Sequence, residues 1–464
     1  MKLVLLSGGS GKRLWPLSND ARSKQFLKVL PNSYNQLESM IQRLWGQIRA
    51  GGFREAVYIS TNQTQVEVIQ SQIGSDIPII IEPERRDTFP AIALATAYLH
   101  TVAGIELNEV IAVMPVDPYV EDDFLANIQQ LEQALQQSGA QIGLLGVMPT
   151  YPSTQYGYII SHPDDQERIE SSYYQQVKTF AEKPTEERAI ELIGQKALWN
   201  CGVFAFKLGY MIDQLKKRGW PTDYYELVKN YGQLPKISFD YEIVEQEEHV
   251  IVIPYAGEWK DLGTWNTLTS NLSDNVMGKG MLSKSCKNTH VLNELELPVV
   301  VVGLSNVVVA ASADGILVAD KSSSQEVKEL LKNTSEPPMF VERRWGWYRI
   351  LERKRSTDGI EGITRRVCLL AGKNLSYHYH HHRKEIWVVL AGEGEYILND
   401  VRSPIRVGDA LEIPAGAKHG ILAITDLEMI EIQLGSKLEE ETDTIPIALT
   451  WEDALRTINR RNDQ

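Results

Sequence analysis

The run Lys2-Leu3-Val4-Leu5-Leu6-Ser7-Gly8-Gly9-Ser10-Gly11-Lys12-Arg13-Leu14-Trp15-Pro16-Leu17-Ser18 decides how this chain is read. Residues 2–7 form an apolar strand, and glycines follow at once. Without Cβ atoms, such a loop lets backbone N–H groups approach the oxygens of an anion, and Lys12 and Arg13 add charge. Spacing excludes two familiar phosphate loops. A Walker A loop needs Gly five residues before Gly11, where Leu6 stands, and Ser or Thr where Arg13 stands. A dinucleotide fingerprint needs Gly where Leu14 stands. A Gly-rich turn with a solvated basic flank is the plain alternative; strand, loop and cations in one place favour an anion site.

Outward from this loop, strand-like and helix-like segments alternate to about residue 270. Strands are predicted at Ala56–Ser60, Ile77–Ile81 and Glu109–Val116, and helices at Leu37–Ile48, Ala91–Leu99 and Asp122–Gln137. Such alternation predicts a Rossmann-like α/β domain with a mostly parallel sheet over residues 1–272. Short β-branched runs follow: Val299–Val302, Val307–Ala310 and Ile316–Ala319. They predict a small β-helix-like segment over 273–335, with a short helix at Ser324–Lys332 and a linker at Thr334–Met339. Residues 336–464 return to strands with Gly/Pro turns and close on a helix over Trp451–Arg461.

The composition is that of a soluble globular protein: 464 residues, 43% apolar and 23% charged. A net charge of −14 argues against general nucleic-acid binding, which needs a basic surface. Residues 1–30 run against that trend, with Lys2, Lys12, Arg13, Arg22, Lys24 and Lys28 against the single acid Asp20. A basic patch on an acidic protein suits a small anionic ligand. Cys201, Cys286 and Cys368 are odd in number and far apart, so no disulfide framework is implied. Leu3–Leu6 is too short for a signal segment, and no apolar stretch has the length of a membrane span. The expected location is the cytoplasm.

Further landmarks follow the loop in order: Lys24-Gln25-Phe26, Arg86-Asp87-Thr88-Phe89-Pro90-Ala91, Met114-Pro115-Val116-Asp117, Tyr156-Gly157-Tyr158-Ile159, Phe180-Ala181-Glu182-Lys183-Pro184, Trp199-Asn200-Cys201-Gly202, and Trp259-Lys260-Asp261-Leu262-Gly263-Thr264-Trp265. With these the chain resembles, over nearly its whole length, the mannose-1-phosphate guanylyltransferases in their long bacterial form, fused to a mannose-6-phosphate isomerase domain. It departs from them at Lys12 (usually Thr), Ser23 (usually Pro), Asp87 (usually Asn), Phe89 (usually Ala) and Pro118 (usually His). The resemblance implies that GTP and mannose 1-phosphate give GDP-mannose and pyrophosphate. It implies nucleotide contacts from Leu6, Gly8, Gly9, Gly11, Lys12, Arg13 and Lys24, with Arg13, Lys24, Asp117 and Asp261 catalytic. Gly157, Glu182, Lys183 and Asn200 would take the sugar phosphate. Asp117 and Asp261 would hold Mg²⁺, a hard cation that carboxylates and phosphate oxygens suit. Guanine offers two adjacent donors, which one carboxylate can accept together, and Glu82 is the candidate reader; an exposed loop acid is its alternative. Trp199 and Trp265 are expected in the core or a pocket wall. The substrates are small molecules, with no nucleic acid or membrane partner, and a homo-oligomer is expected.

The C-terminal third carries Gly372-x5-His378-x-His380-x4-Glu385-x6-Gly392 and Gly408-x5-Pro414-x-Gly416-x2-His419, the two motifs of a cupin barrel. On a strand, His378 and His380 face one side. Three imidazoles and a carboxylate suit Zn²⁺, Mn²⁺ or Fe²⁺. In the resembling isomerases the first ligand is usually Gln, where His378 stands, and Arg follows the last His, where Gly420 stands. Arg383 is then the candidate phosphate anchor for isomerisation. Three readings stay open: two enzymes in one chain, a transferase with a cupin that binds a ligand or holds an oligomer, and an inactive sensor. Another hexose 1-phosphate or triphosphate is likewise open.

Overall fold

The computed structural model describes residues 1–9, 12–51, 57–162, 173–332, 337–357, 359–436, 438 and 443–462, without the side chains of 12 and 460–462. The chain divides into two compact units: Met1–Arg13, Ser23–Val66 and Gln72–Ser273 form the first, and Leu14–Arg22, Glu67–Ser71 and Asp274–Gln464 the second. Linear boundaries do not anticipate the two short segments that the second unit draws from the N-terminal part of the chain.

In the first unit, nine strands make one sheet: β1 Lys2–Ser7, β2 Val57–Asn62, β3 Ile79–Glu82, β4 Val110–Pro115, β5 Ile142–Val147, β6 Tyr158–Ser161, β7 Gln175–Ala181, β8 Leu198–Lys207 and β9 Val250–Tyr255. Their order is β3-β2-β1-β4-β8-β5-β9-β7-β6. The first four pair parallel, as the alternation predicts. Beyond them the sheet is mixed rather than mostly parallel: β8 runs antiparallel to both β4 and β5, and β7 antiparallel to β9 and β6. The carboxyl ends of β3, β1 and β4 therefore share an edge with the amino end of β8. At this edge of an α/β sheet, loops gather around ligands.

Helices pack on the sheet for local reasons. Thr88–Thr101 is apolar nearly all round, and ten of its fourteen residues are buried. Apolar spacing predicts a helix from Leu37, but it begins at Met40. Ser39 caps it with a reciprocal capping box to Gln42, and Leu37–Glu38 pairs instead with Leu30–Pro31. None of the described helices is long and apolar enough to cross a membrane.

In the second unit, Val276–Gly278, His290–Asn293 and Val307–Ser312 stack parallel, and Gly315–Asp320 joins antiparallel. Gly280–Leu282 and Val299–Val301 form a second parallel stack. Leu14–Arg22 folds with these strands: Asn19 Nδ2 donates to Asp314 Oδ2 at 2.6 Å, Ser312 Oγ donates to Pro16 O at 2.6 Å, and Arg22 pairs with Glu294 at 2.8 Å. A Cβ at Gly315, whose φ is +148°, would lie 2.5 Å from the Trp15 ring. Thr334 and its neighbours to 336, the first half of the expected linker, lie outside the described residues. The rest is all-β: a six-stranded and a five-stranded antiparallel sheet, closed by the helix Trp451–Asn462. His378, His380 and His419 stand on strands Asn374–His380 and His419–Ala423 of the five-stranded sheet, and Glu385 on Arg383–Ala391 of the six-stranded one.

Candidate functional site

Beneath the glycine loop lies a buried polar network. Ser23 Oγ donates to Gly9 O at 2.9 Å, Gln65 Nε2 to Ser23 Oγ at 2.7 Å, Gln25 Nε2 to Ser7 Oγ at 3.2 Å, and Thr61 Oγ1 to Ser7 O at 2.9 Å. Such networks hold a loop in one shape because an unmade buried hydrogen bond is costly. Gln65 plays its part from a distant stretch, and nothing near the loop in sequence announces it. Gly11 and the side chain of Lys12 lie outside the described residues.

Lys24 sits just past this loop, in the short 3-10 turn Lys24–Phe26. Its Nζ lies 2.9 Å from Asp117 Oδ2 and 2.6 Å from Asp261 Oδ1. A two-stranded ladder brings the two acids together: Trp259–Asp261 pairs with Pro118–Val120, and Asp261 stands opposite Pro118. Burial alone would raise the Asp261 carboxyl, but the Lys24 charge and hydrogen bond, Arg13 and the Gly263 N–H hold it below the ordinary value. Burial likewise opposes the Lys24 charge, and the two carboxylates outweigh it and raise the ammonium. Gly263 keeps this space open: a Cβ would lie 2.8 Å from both Asp261 Oδ1 and Lys24 Nζ. Two carboxylates converging on one small cation, with room kept by a glycine, fit a hard divalent ion.

Beside this cluster is a cavity of about 210 Å³, lined by Leu6, Gly8, Gln25, Thr88, Pro115, Val116, Asp117, Gly202, Phe204 and Asp240. Glu82 adjoins it; a Cβ on Gly8 would lie 4.0 Å from Glu82 Oε1. Glu82 is buried, not an exposed loop acid. Ser60 Oγ donates to its Oε1 at 3.3 Å and Tyr231 Oη to its Oε2 at 3.0 Å. Burial pushes its carboxyl up, and these hydrogen bonds and Arg85 pull it back.

The residues expected on the sugar side also meet. Glu182 Oε2 would be 2.5 Å, and Asn200 Cβ 3.6 Å, from a Cβ on Gly157. Asn200 N donates to Gly157 O at 2.8 Å. Lys183 is exposed, pairs with Glu182 and has φ +43°. Sequence reasoning misses Asp240, which joins this wall by accepting from Asn200 Nδ2 at 2.6 Å. Tyr156 packs edge-on against Trp199 and Trp259, which are tilted to each other, and neither indole N–H finds a partner among the described residues. Trp265 is fully buried.

In the barrel, His378, His380 and His419 present ring nitrogens within 4.8 Å of one another. Each Nδ1 faces a backbone carbonyl: Ser376 O at 2.7 Å, Asp443 O at 3.3 Å and Ala417 O at 3.0 Å. A carbonyl only accepts, so each Nδ1 carries the proton and each Nε2 turns a lone pair inward. Burial, then the neighbouring His419 and His380, push His378 down to about 3, so it is neutral at pH 7. Glu385 adds its carboxylate 3.2 Å from His380 Nε2 and 3.5 Å from His419 Nε2. Trp387 Nε1 and Gln433 Nε2 orient it at 3.1 and 3.0 Å. His419 Nε2 is buried with no hydrogen-bond partner among the described residues. Converging lone pairs and a carboxylate repel one another unless a cation joins them, so this donor set fits a transition metal.

Arg383, the expected phosphate anchor, is buried in the barrel. It is 2% exposed; its Nη2 donates to Thr444 Oγ1 at 2.8 Å and its Nε lies 3.4 Å from Asp443 Oδ2. Residues 383 and 385 share a strand face, so the guanidinium lies in the barrel interior on the side of Glu385. Gly420 offers no substitute, since a Cβ there would meet Ser376 O at 3.2 Å.

Comparison with known proteins agrees with both halves. Residues 2–275 match the nucleotidyl transferase family, and residues 332–447 the C-terminal domain of mannose-6-phosphate isomerase. A putative mannose-1-phosphate guanylyltransferase of Vibrio cholerae is 32% identical, across 94% of this chain and 97% of that one. The mannose-1-phosphate guanylyltransferase RfbM of Salmonella typhimurium is 28% identical, across 94% and 95%. A crystal structure described as a mannose-1-phosphate geranyltransferase from Thermus thermophilus superposes with a TM-score of 0.60 at 28% identity, covering 71% of this chain and 98% of that one. This chain belongs to the nucleotidyl transferase family, in its mannose-1-phosphate guanylyltransferase branch, and carries a mannose-6-phosphate isomerase C-terminal domain after it.

Proposed function

We propose that this enzyme joins GTP to mannose 1-phosphate, giving GDP-mannose and pyrophosphate. An oxygen of the sugar phosphate attacks the α-phosphorus of the triphosphate, and the bond from that phosphorus to the β-phosphate bridging oxygen breaks. Both substrates are anions, so catalysis is mainly positioning and neutralisation of charge. The backbone of Gly8 and Gly9, with Arg13 and Lys24, takes the triphosphate; Glu82 accepts from the guanine edge with the lone pairs that Ser60 and Tyr231 leave. Lys183 takes the sugar phosphate, while Glu182 and Asn200 face the ring hydroxyls. Mg²⁺ held by Asp117 and Asp261 would neutralise phosphate charge as the pyrophosphate leaves. The observation that carries this reading is Lys24 set between Asp117 and Asp261 beside the cavity that Gly8 lines. The test is a pyrophosphate-release screen of each nucleoside triphosphate with mannose and glucose 1-phosphates. Turnover with another pair, and none with GTP and mannose 1-phosphate, would overturn it.

For the barrel, the match of residues 332–447 to the mannose-6-phosphate isomerase C-terminal domain and the converging histidines support isomerisation of mannose 6-phosphate at a bound transition metal. A coupled assay of mannose 6-phosphate isomerisation with Zn²⁺, Mn²⁺, Co²⁺ or Fe²⁺ decides this, and metal bound without activity under any of them would refute it.

A further inference from the structure

Asp240 stands in the first turn of the short helix Phe239–Glu242, capped by Ser238. Phe239 N donates to Thr88 Oγ1 at 2.8 Å, which ties this turn to the start of the apolar helix beside the cavity. Asp240 lines that cavity together with Gly8, Asp117 and Gly202.

Its partner Asn200 is held in one orientation. Asn200 Oδ1 accepts from Gly202 N at 3.1 Å, so the amide nitrogen must face Asp240. That nitrogen occupies Asp240 Oδ1 at 2.6 Å. Among the described residues no other side chain donates to Asp240. Its half-buried carboxylate also takes the backbone N–H of Asp240 itself, and it keeps acceptor capacity on the side that lines the cavity. Burial pushes the carboxyl up to about 6, partly relieved by Asn200 and augmented by Glu182. Lys183 feels its charge as well. Asp240 therefore shares the electrostatic neighbourhood of Glu182 and Lys183. A phosphate, being an acceptor and an anion, cannot satisfy it; a sugar hydroxyl can.

We infer that Asp240 is a specificity-determining residue of the sugar side of the site, its second carboxylate oxygen accepting a hydrogen bond from one ring hydroxyl of the hexose while Asn200 clamps the first. The inference rests on the hexose 1-phosphate reading above. A site built to accept from a hydroxyl discriminates strongly against a sugar that lacks it, because the acceptor is then left unpaired.

Asp240→Asn isolates the second oxygen. Its carbonyl oxygen keeps the Asn200 bond, and the acceptor facing the sugar becomes a donor. Initial rates are measured with mannose 1-phosphate and each of its monodeoxy analogues, in wild type and variant. The variant should raise the KM for mannose 1-phosphate about tenfold to a hundredfold and leave the KM for GTP within about twofold. One monodeoxy analogue should cost the wild type a similar factor and cost the variant nothing further. Should Asp240→Asn fail to fold, Asp240→Ser must give the same pattern. A shift in the KM for GTP instead, or equal losses in both proteins for every analogue, would overturn the inference. If the wild type turns over a different hexose 1-phosphate, the reading above falls, and the same comparison on that hexose still decides the role of Asp240.

Discussion

Lys24 Nζ stands 2.6 Å from Asp261 Oδ1. With Asp117 at 2.9 Å, the lysine already supplies the charge that a metal would bring. A divalent ion held by the same two carboxylates would compete with the lysine for their charge. Lys24→Met should lower the melting midpoint without metal, and added Mg²⁺ should raise that midpoint more than it does in wild type. Thermal melts with and without Mg²⁺, no nucleotide present, check this; equal Mg²⁺ shifts would show that the two cations do not share a place.

Asp261→Asn should lower turnover by about a hundredfold or more with little change in melting midpoint. The amide keeps the shape beside Gly263 and loses the charge that matters while phosphate charge develops. A folded variant with near-normal kcat removes Asp261 from the reaction.

His380→Ala should empty the barrel of metal. Elemental analysis of the purified proteins should find about one equivalent of transition metal in wild type and almost none in the variant. The same near-zero content in both would end the assignment.

Arg383→Met should destabilise the protein by roughly 3–5 kcal/mol, because it strands the fully buried Asp443 carboxylate. Asp443 also accepts from His381 N and His382 N, each at 3.1 Å. Urea denaturation reads the loss, and a change below about 1 kcal/mol would mean the guanidinium is dispensable.

His290 gives the second unit an acid weakness. Burial and the Lys321 ammonium 2.7 Å away push it down to about 4 from 6.5. Between those values the unfolded chain binds a proton that the folded one does not, so stability is full above pH 6.5 and falls as pH drops towards 4. The loss is at most about 3 kcal/mol. His290→Gln should flatten the fall in denaturation midpoint between about pH 7 and pH 5; an unchanged slope would assign the acid weakness elsewhere.

The parts of the site that were legible in sequence are those borne on short contiguous motifs. Gly8, Asp117 and Asp261 each sit beside glycines or at strand ends, and Lys24 stands in a short motif that follows the glycine loop, where the local pattern advertises them. Gln65 and Asp240 do not. Each reaches the site through a hydrogen bond to a residue 40 or more positions away, and no local period encodes that. Arg383 is the opposite case. The rule that puts His378 and His380 on one face also puts residue 383 with Glu385, so its burial could have been read. The extra antiparallel strands of the sheet escape a reading by alternation, since β8 looks the same in either direction. Leu37 shows why apolar spacing overruns a helix start: Ser39 sets the boundary.

The second unit is discontinuous, and this bears on how such a protein could be assembled or taken apart. Severing the chain at residue 273 leaves Asn19 without Asp314, the Pro16 carbonyl without Ser312 and Arg22 without Glu294. No single cut yields both halves whole. Recombination that swaps the C-terminal portion between relatives must therefore carry a matching stretch 14–22 from the same parent, or the graft arrives with an unfilled seam under Trp15.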